Sequence, residues 1–242
     1  MWRDISPDDQ VDIAVDGYRI RAYGFGKGVN TVLCLNGGPG LPCDYLREAH
    51  LCLVDQGCRV VAFDQLGTGA SDRPDDVSLW TIDRYVAETE IVRRELGLGK
   101  VHILGHSWGG WLAIDYALTH PENLASLILA DTVACIPHLA SELERLRAAL
   151  GSETVAMMQK HEAEGALDHL EYMAAVTLLN YRHVGRLPEW PAPVQRSLDD
   201  WNMGPYVAMQ GPYEFLCDAL GDAIPDIDPD KPLLPQAARE IA

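Results

Sequence analysis

Six consecutive residues, Gly105-His106-Ser107-Trp108-Gly109-Gly110, place a serine two positions from a glycine on either side. They lie between a short apolar run at 101–104 and a helical run at 111–118. A G-x-S-x-G sequence between a strand and a helix reads as a nucleophile elbow. The small residues permit a strained turn that holds Ser107 Oγ exposed at the C-terminal edge of a sheet, where a helix N-terminus favours negative charge. A second stretch, Asn36-Gly37-Gly38-Pro39-Gly40, follows the apolar run 31–35. Its backbone N–H groups, at Gly37 or Gly38, can point at a developing oxyanion, with the Trp108 N–H as second donor. The chemistry these residue types suit is acyl transfer through a serine ester.

The elements that must position them are legible as an alternation. Residues 11–15 alternate in polarity, turn at Asp16-Gly17 and resume over 18–23, a hairpin with a favoured turn dipeptide. Apolar runs at 31–35, 59–63, 101–104 and 126–130 are bounded by Gly, Asp or Asn, as buried parallel strands are. Between them the clearest helix carries Ile82, Tyr85, Val86, Thr89 and Leu96 on one face, with Thr81 as N-cap and Gly97 as stop. Strands alternating with helices imply a mostly parallel, doubly wound α/β sheet. We expect a core over residues 1–134. Residues 135–215 are expected to form a helical cap, with helices at 139–150, 153–164 and 167–181 and an irregular Pro-, Trp- and Gly-rich stretch at 184–213. Residues 216–242 are expected to form a shortened return to the core.

The 242 residues are 48% hydrophobic and 23% charged, near the globular average, which excludes a disordered chain. A net charge of −17 repels phosphate backbones and anionic lipid, so neither nucleic acid nor a membrane surface is expected as partner. No run approaches a membrane span, and the polar N-terminus is unlike a signal peptide, so the expected location is the cytoplasm. The six cysteines (34, 43, 52, 58, 135 and 217) lack C-x-x-C or zinc-ligand spacing and are expected to be buried reduced thiols.

Four segments together resemble one family. Asn36–Gly40 is similar to the HGGPG loop of proline iminopeptidases, and Asp64-Gln65-Leu66-Gly67-Thr68-Gly69-Ala70-Ser71 to their DQxGxGxS loop. Gly105–Gly110 resembles their GxSWGG elbow, and Met209-Gln210-Gly211-Pro212-Tyr213-Glu214-Phe215 their MNGPxEF segment. The resemblance implies an α/β-hydrolase fold with a helical cap, no metal and no cofactor. It also implies release of an N-terminal residue, often proline, from a short peptide or amino-acid amide. It further implies Ser107 as nucleophile, and Glu214 as the carboxylate that receives the substrate's amino group. Rival readings are a binding protein of the same fold without a working triad, and a hydrolase of small esters or amides. An ester needs no carboxylate at Glu214.

The chain also departs from that family. Asn36 replaces the usual His, and Gln210 the usual Asn. After Phe215 the triad Asp and His of the family have no counterpart, and the last histidine of the sequence is His183. Residues 231–234 resemble the start of the Asp-bearing strand and 235–240 the helix beyond it, as an internal deletion would leave them. The expected consequences are weak catalysis and an open apolar sheet edge that favours homo-oligomers. His138 and His183, in the expected cap, are the histidines that such a cap can bring above the site. His106 and His102 belong to the turn and strand, while His50, His120, His161 and His169 read as ordinary helix or loop residues. Asp131 stands where some α/β-hydrolases carry their acid, though a loop hydrogen bond is its simpler role. Gly24-Phe25-Gly26-Lys27-Gly28 precedes a strand rather than the helix a phosphate loop needs, and Asp226-x-Asp228-x-Asp230 lacks the glycine and glutamate of a calcium loop.

Overall fold

The computed structural model describes residues 6–211. These fall into two compact units, one comprising residues up to 134 together with those from 192 onward, the other Cys135–Pro191.

The first unit is built on six strands: β1 (Asp9–Val15), β2 (Tyr18–Phe25), β3 (Asn30–Leu35), β4 (Cys58–Asp64), β5 (Val101–His106) and β6 (Leu124–Ala130). Their order across the sheet is β1-β2-β4-β3-β5-β6. The hairpin β1–β2 is antiparallel and β2 joins β4 antiparallel, whereas β4, β3, β5 and β6 run parallel. The hairpin turn at Asp16 and Gly17 puts both residues at positive φ (51° and 87°), the geometry that matches strand twist. β3 and β4 sit mid-sheet and are buried on both faces, which is why their sequences are continuous apolar runs rather than alternating ones. Leu33, Leu35, Val60, Val61, Phe63 and Ile103 have essentially no exposed surface. β6 pairs only with β5 among the described residues, and its Ile128 and Leu129 are 41% and 45% exposed.

Three helices pack on this sheet: α1 (Asp44–Ala49), α2 (Ile82–Glu95) and α3 (Trp108–Thr119). α2 begins where Thr81 accepts the Arg84 N–H at 3.3 Å and ends before Gly97, whose φ of 62° closes the helix. α3 is apolar on nearly all sides because it is buried against the sheet, from Trp108 through Ala117.

Residues 192–211 depart from the irregular structure expected of them. They form α7 (Ala192–Asp199) and α8 (Met203–Gln210), and they belong with the first unit. Pro193 and Pro205 both lie in the first turn of their helices, where a missing N–H costs nothing, and Asn202 caps α8 through the Gly204 N–H at 3.0 Å. The prolines that suggested irregular structure therefore mark helix starts.

The second unit consists of α4 (Ile136–Ala148), α5 (Ser152–Ala163) and α6 (Leu170–Leu179), the last continuing as a π turn to Val184. Arg147 of α4 donates to Glu162 of α5 at 2.7 Å, both side chains buried. Among the described residues no helix is long and apolar enough to cross a membrane. The thiols differ from expectation in part: Cys34 and Cys43 are buried, but Cys52 and Cys135 are exposed.

Candidate active site

Ser107 occupies the single residue between the end of β5 and the start of α3, at φ 55° and ψ −124°. Positive φ at a residue with a Cβ is strained and persists only where neighbours over-determine it. Here they do: the Ser107 N–H donates to Ala130 O at 3.0 Å, and Ser107 O accepts from the Gly110 N–H at 2.8 Å. The elbow's glycines are required by close approach. A Cβ on Gly109 would stand 2.2 Å from Leu35 O, and one on Gly105 2.3 Å from Gly109 O. Trp108 is the first residue of α3, so its N–H has no acceptor inside the helix. Its indole is buried edge-on against Tyr85, with ring centroids 5.2 Å apart.

The Asn36–Gly40 loop meets this elbow directly. A Cβ on Gly37 would lie 3.0 Å from Ser107 Cβ and 3.0 Å from Tyr45 Oη. The Gly37 N–H, expected as an oxyanion donor, instead donates to Tyr45 Oη at 2.6 Å, which corrects that assignment. The same hydroxyl lies 2.8 Å from His106 Nδ1. His106 Nε2 faces the Asp131 carboxylate at 3.8 Å, which favours the proton on Nε2 and leaves Nδ1 to accept from Tyr45. Burial lowers the His106 pKa, against a smaller opposing pull from Asp131. Burial likewise pushes the Tyr45 phenol up, so it stays a neutral donor.

Sequence reasoning missed what holds the glycine loop. Three successive carbonyls of the loop are bound by residues around α8. Gln210 Nε2 donates to Gly38 O at 3.1 Å, Trp201 Nε1 to Pro39 O at 2.9 Å, and the Asn202 N–H to Gly40 O at 3.0 Å. Asn36 donates from Nδ2 to Leu41 O at 2.5 Å, so the residue that replaces the family's His pins the loop from within. The available signal was the MNGPxEF-like segment, whose Gln210 proves to be a loop contact. The DQxGxGxS-like loop is organised by buried Asp64. Asp64 accepts from Cys43 N–H at 3.0 Å, Ala70 N–H at 2.9 Å and Tyr23 O–H at 2.9 Å.

The remaining expected residues are scattered. Among the described residues no histidine hydrogen-bonds Ser107 Oγ. His138 and His183 belong to the second unit, in α4 and the π turn. Asp131, at φ 47° and with a 91% exposed side chain, faces His106 at the end of β6. Glu214 lies outside the described residues. Ser107, Trp108 and the glycine loop, through Gly37, are thus gathered at one sheet edge, an arrangement that can present a serine hydroxyl beside backbone donors.

Comparison with known proteins is consistent with this geometry. The sequence pattern of the alpha/beta hydrolase fold family matches residues 30–192. The proline iminopeptidase of Heyndrickxia coagulans is 35% identical over 206 residues, covering 84% of this chain and 71% of that protein. That of Elizabethkingia meningoseptica is 37% identical over 188 residues, covering 76% of this chain and 63% of its own length. This chain therefore spans less than two thirds of some of its curated relatives. Among solved structures, VinJ superposes with a TM-score of 0.81 at 31% identity, covering 87% of this chain and 73% of that one. Proline iminopeptidase from Mycobacterium smegmatis superposes with a TM-score of 0.77 at 28% identity, covering 86% and 72%.

Proposed function

The chain belongs to the α/β-hydrolase fold family and, within it, to the proline iminopeptidases, and from that premise we propose that it is a serine aminopeptidase acting through an acyl-enzyme on Ser107. The substrate is a short peptide or amino-acid amide whose N-terminal residue is proline or another small apolar residue. Ser107 Oγ attacks the carbonyl carbon of that residue, and its proton passes to a base. The Gly38 and Trp108 N–H groups stabilise the oxyanion, the leaving amine takes up the proton, and water then hydrolyses the ester. Gly37 acts as a positioning residue, because its N–H is engaged by Tyr45. Glu214 receives the substrate's ammonium group, a role that rests on the resemblance.

The observation that carries this reading is the strained Ser107 backbone at the junction of β5 and α3, with the glycine loop packed against it. One observation favours a second reading, a binding protein of the same fold: among the described residues Ser107 Oγ has no histidine partner. Labelling with a fluorophosphonate, followed by peptide mapping, decides between them. The aminopeptidase reading expects an adduct on Ser107, lost in Ser107→Ala, and hydrolysis of prolyl arylamides. An adduct on a different residue overturns the assignment. No adduct at all, in protein with an intact fold, favours the binding protein. Where turnover is measurable, Glu214→Gln should impair prolyl amides far more than simple esters, since truncating one partner of a buried ion pair costs about 2–5 kcal/mol.

A further inference from the structure

The second unit holds a cluster of ligating side chains that serine chemistry does not use. His161 lies in the last turn of α5, His169 is the N-cap of α6, and Glu171 stands in the first turn of α6. The connection between the helices is tight: the Ala166 N–H returns to His161 O at 2.8 Å, and the His169 N–H to Ala166 O at 3.2 Å. This fold-back stacks the two imidazoles, with ring centroids 4.1 Å apart and planes 20° from parallel. His161 Nε2 stands 3.6 Å from Glu171 Oε2, and His169 Nδ1 stands 4.0 Å from the same oxygen. One nitrogen from each histidine and one carboxylate oxygen all fall within 4.8 Å of one another.

His161 distinguishes this group from a chance surface cluster. Its side chain is only 8% exposed, yet Nδ1 has no hydrogen-bond partner. Its Nε2 faces the carboxylate at a distance beyond a hydrogen bond. Buried imidazoles are ordinarily satisfied, whereas here Nδ1 has no partner and Nε2 has only the long contact to Glu171. Nε2 can therefore take a ligand at the cost of no hydrogen bond shorter than that 3.6 Å contact. His169 and Glu171, by contrast, are 49% and 67% exposed at the side chain and can swing.

Two imidazoles and a carboxylate suit a borderline-soft divalent ion, with metal–nitrogen and metal–oxygen distances of roughly 2.0–2.2 Å in a tetrahedron. Donor atoms of such a site stand roughly 3.3 Å apart. Bringing the observed 3.6 and 4.0 Å, and the separation of at most 4.8 Å between the imidazole nitrogens, to that value takes rotation of the two exposed side chains, with the His169 ring turning out of its stack on His161. A calcium or magnesium ion prefers an all-oxygen shell and does not suit this donor set.

We propose that His161, His169 and Glu171 form a binding site for a divalent transition metal ion of the zinc type, which ties the end of α5 to the start of α6. His161 binds through Nε2. His169 binds through Nδ1, replacing its 3.3 Å capping contact with the Glu171 N–H. The fourth position stays open to water. The site is independent of the serine chemistry at Ser107 and acts on the stability of the helical unit.

The test is calorimetric titration of zinc sulfate into the chelator-treated full chain, with thermal unfolding and cobalt absorption alongside. One site of micromolar or tighter affinity is expected, together with a higher midpoint of unfolding and the visible bands of tetrahedral cobalt. His169→Ala and Glu171→Gln, both exposed positions, should each weaken zinc by about tenfold or more. Calcium should give no comparable heat. Absence of zinc binding by the wild-type chain overturns the proposal. So does zinc binding that both variants retain at wild-type affinity, because the ion then sits elsewhere. Circular dichroism identifies a variant that has lost its fold, in which case the other variant decides.

Discussion

Tyr45 and His106 are joined by a 2.8 Å hydrogen bond from phenol to imidazole Nδ1, and the same phenol accepts the Gly37 N–H at 2.6 Å. The residue preceding Ser107 is thereby tied to the loop packed against it. Removing the hydroxyl in Tyr45→Phe leaves the buried Gly37 N–H and the half-buried His106 Nδ1 without this partner, and a buried group left unsatisfied costs about 1–3 kcal/mol. We expect a loss of stability in that range on urea unfolding, and slower fluorophosphonate labelling of Ser107. A variant that unfolds and labels like the wild type would show that the bridge holds nothing in place.

Gly109→Ala tests the packing of the elbow. Alanine is favoured over glycine inside a helix by about 1 kcal/mol. The new methyl would, however, stand 2.2 Å from Leu35 O and 2.6 Å from Asn36 O, both backbone atoms that cannot swing away. Overpacking of this kind costs about 1–3 kcal/mol or more. The clash should win, giving net destabilisation by thermal or urea unfolding. A more stable Gly109→Ala protein would contradict the close approach of α3 to the glycine loop.

The contacts around α8 predict a functional effect from a distant residue. Trp201→Phe keeps a ring beside Tyr206, at present 5.0 Å away and edge-on, but deletes the 2.9 Å bond to Pro39 O. We expect a loss of about 0.5–1.5 kcal/mol and a lower labelling rate at Ser107, read from a time course. Unchanged kinetics would detach this contact from the positioning of the loop.

Two carboxylates on α2 predict opposite responses to pH. Burial raises Glu88 to about 7, opposed by its 2.7 Å pair with Arg84. A raised carboxyl contributes stability that is complete below the ordinary value of 4.5 and is lost as pH rises through about 7. Glu90 is held down to about 2, first by its hydrogen bond from Arg93. Its contribution is present above 4.5 and is lost as pH falls toward about 2. The wild type should therefore lose stability relative to Glu88→Gln as pH rises from 4.5 to 7, and relative to Glu90→Gln as pH falls below 4.5. Parallel pH profiles for wild type and both variants would refute the assignment.

Local sequence determined the serine, its elbow and most of the strands that carry it. Residues 101–110 encode a short apolar run, a turn of small residues and a helix start within ten positions, so the elbow is legible locally even though Ala130 and Leu35 hold its strained geometry. The hairpin at Asp16-Gly17 and the capped helix from Thr81 to Gly97 were legible for the same reason. Mostly short-range hydrogen bonds and periodicity specify them. What only the tertiary structure decided depends on partners far apart in the chain. The Gly37 N–H is engaged by Tyr45, and Tyr45 in turn by His106, sixty-one positions away. The carbonyls of Gly38, Pro39 and Gly40 are bound by Gln210, Trp201 and Asn202, from a segment whose prolines and tryptophans suggested no regular structure. The His161–His169–Glu171 group was equally hidden, because its residues are unremarkable in sequence until the turn between α5 and α6 stacks them. A backbone donor, a carbonyl acceptor and a buried imidazole leave no pattern in residue type. Which of them is spent and which remains free is settled only when the chain folds and brings their partners within bonding distance.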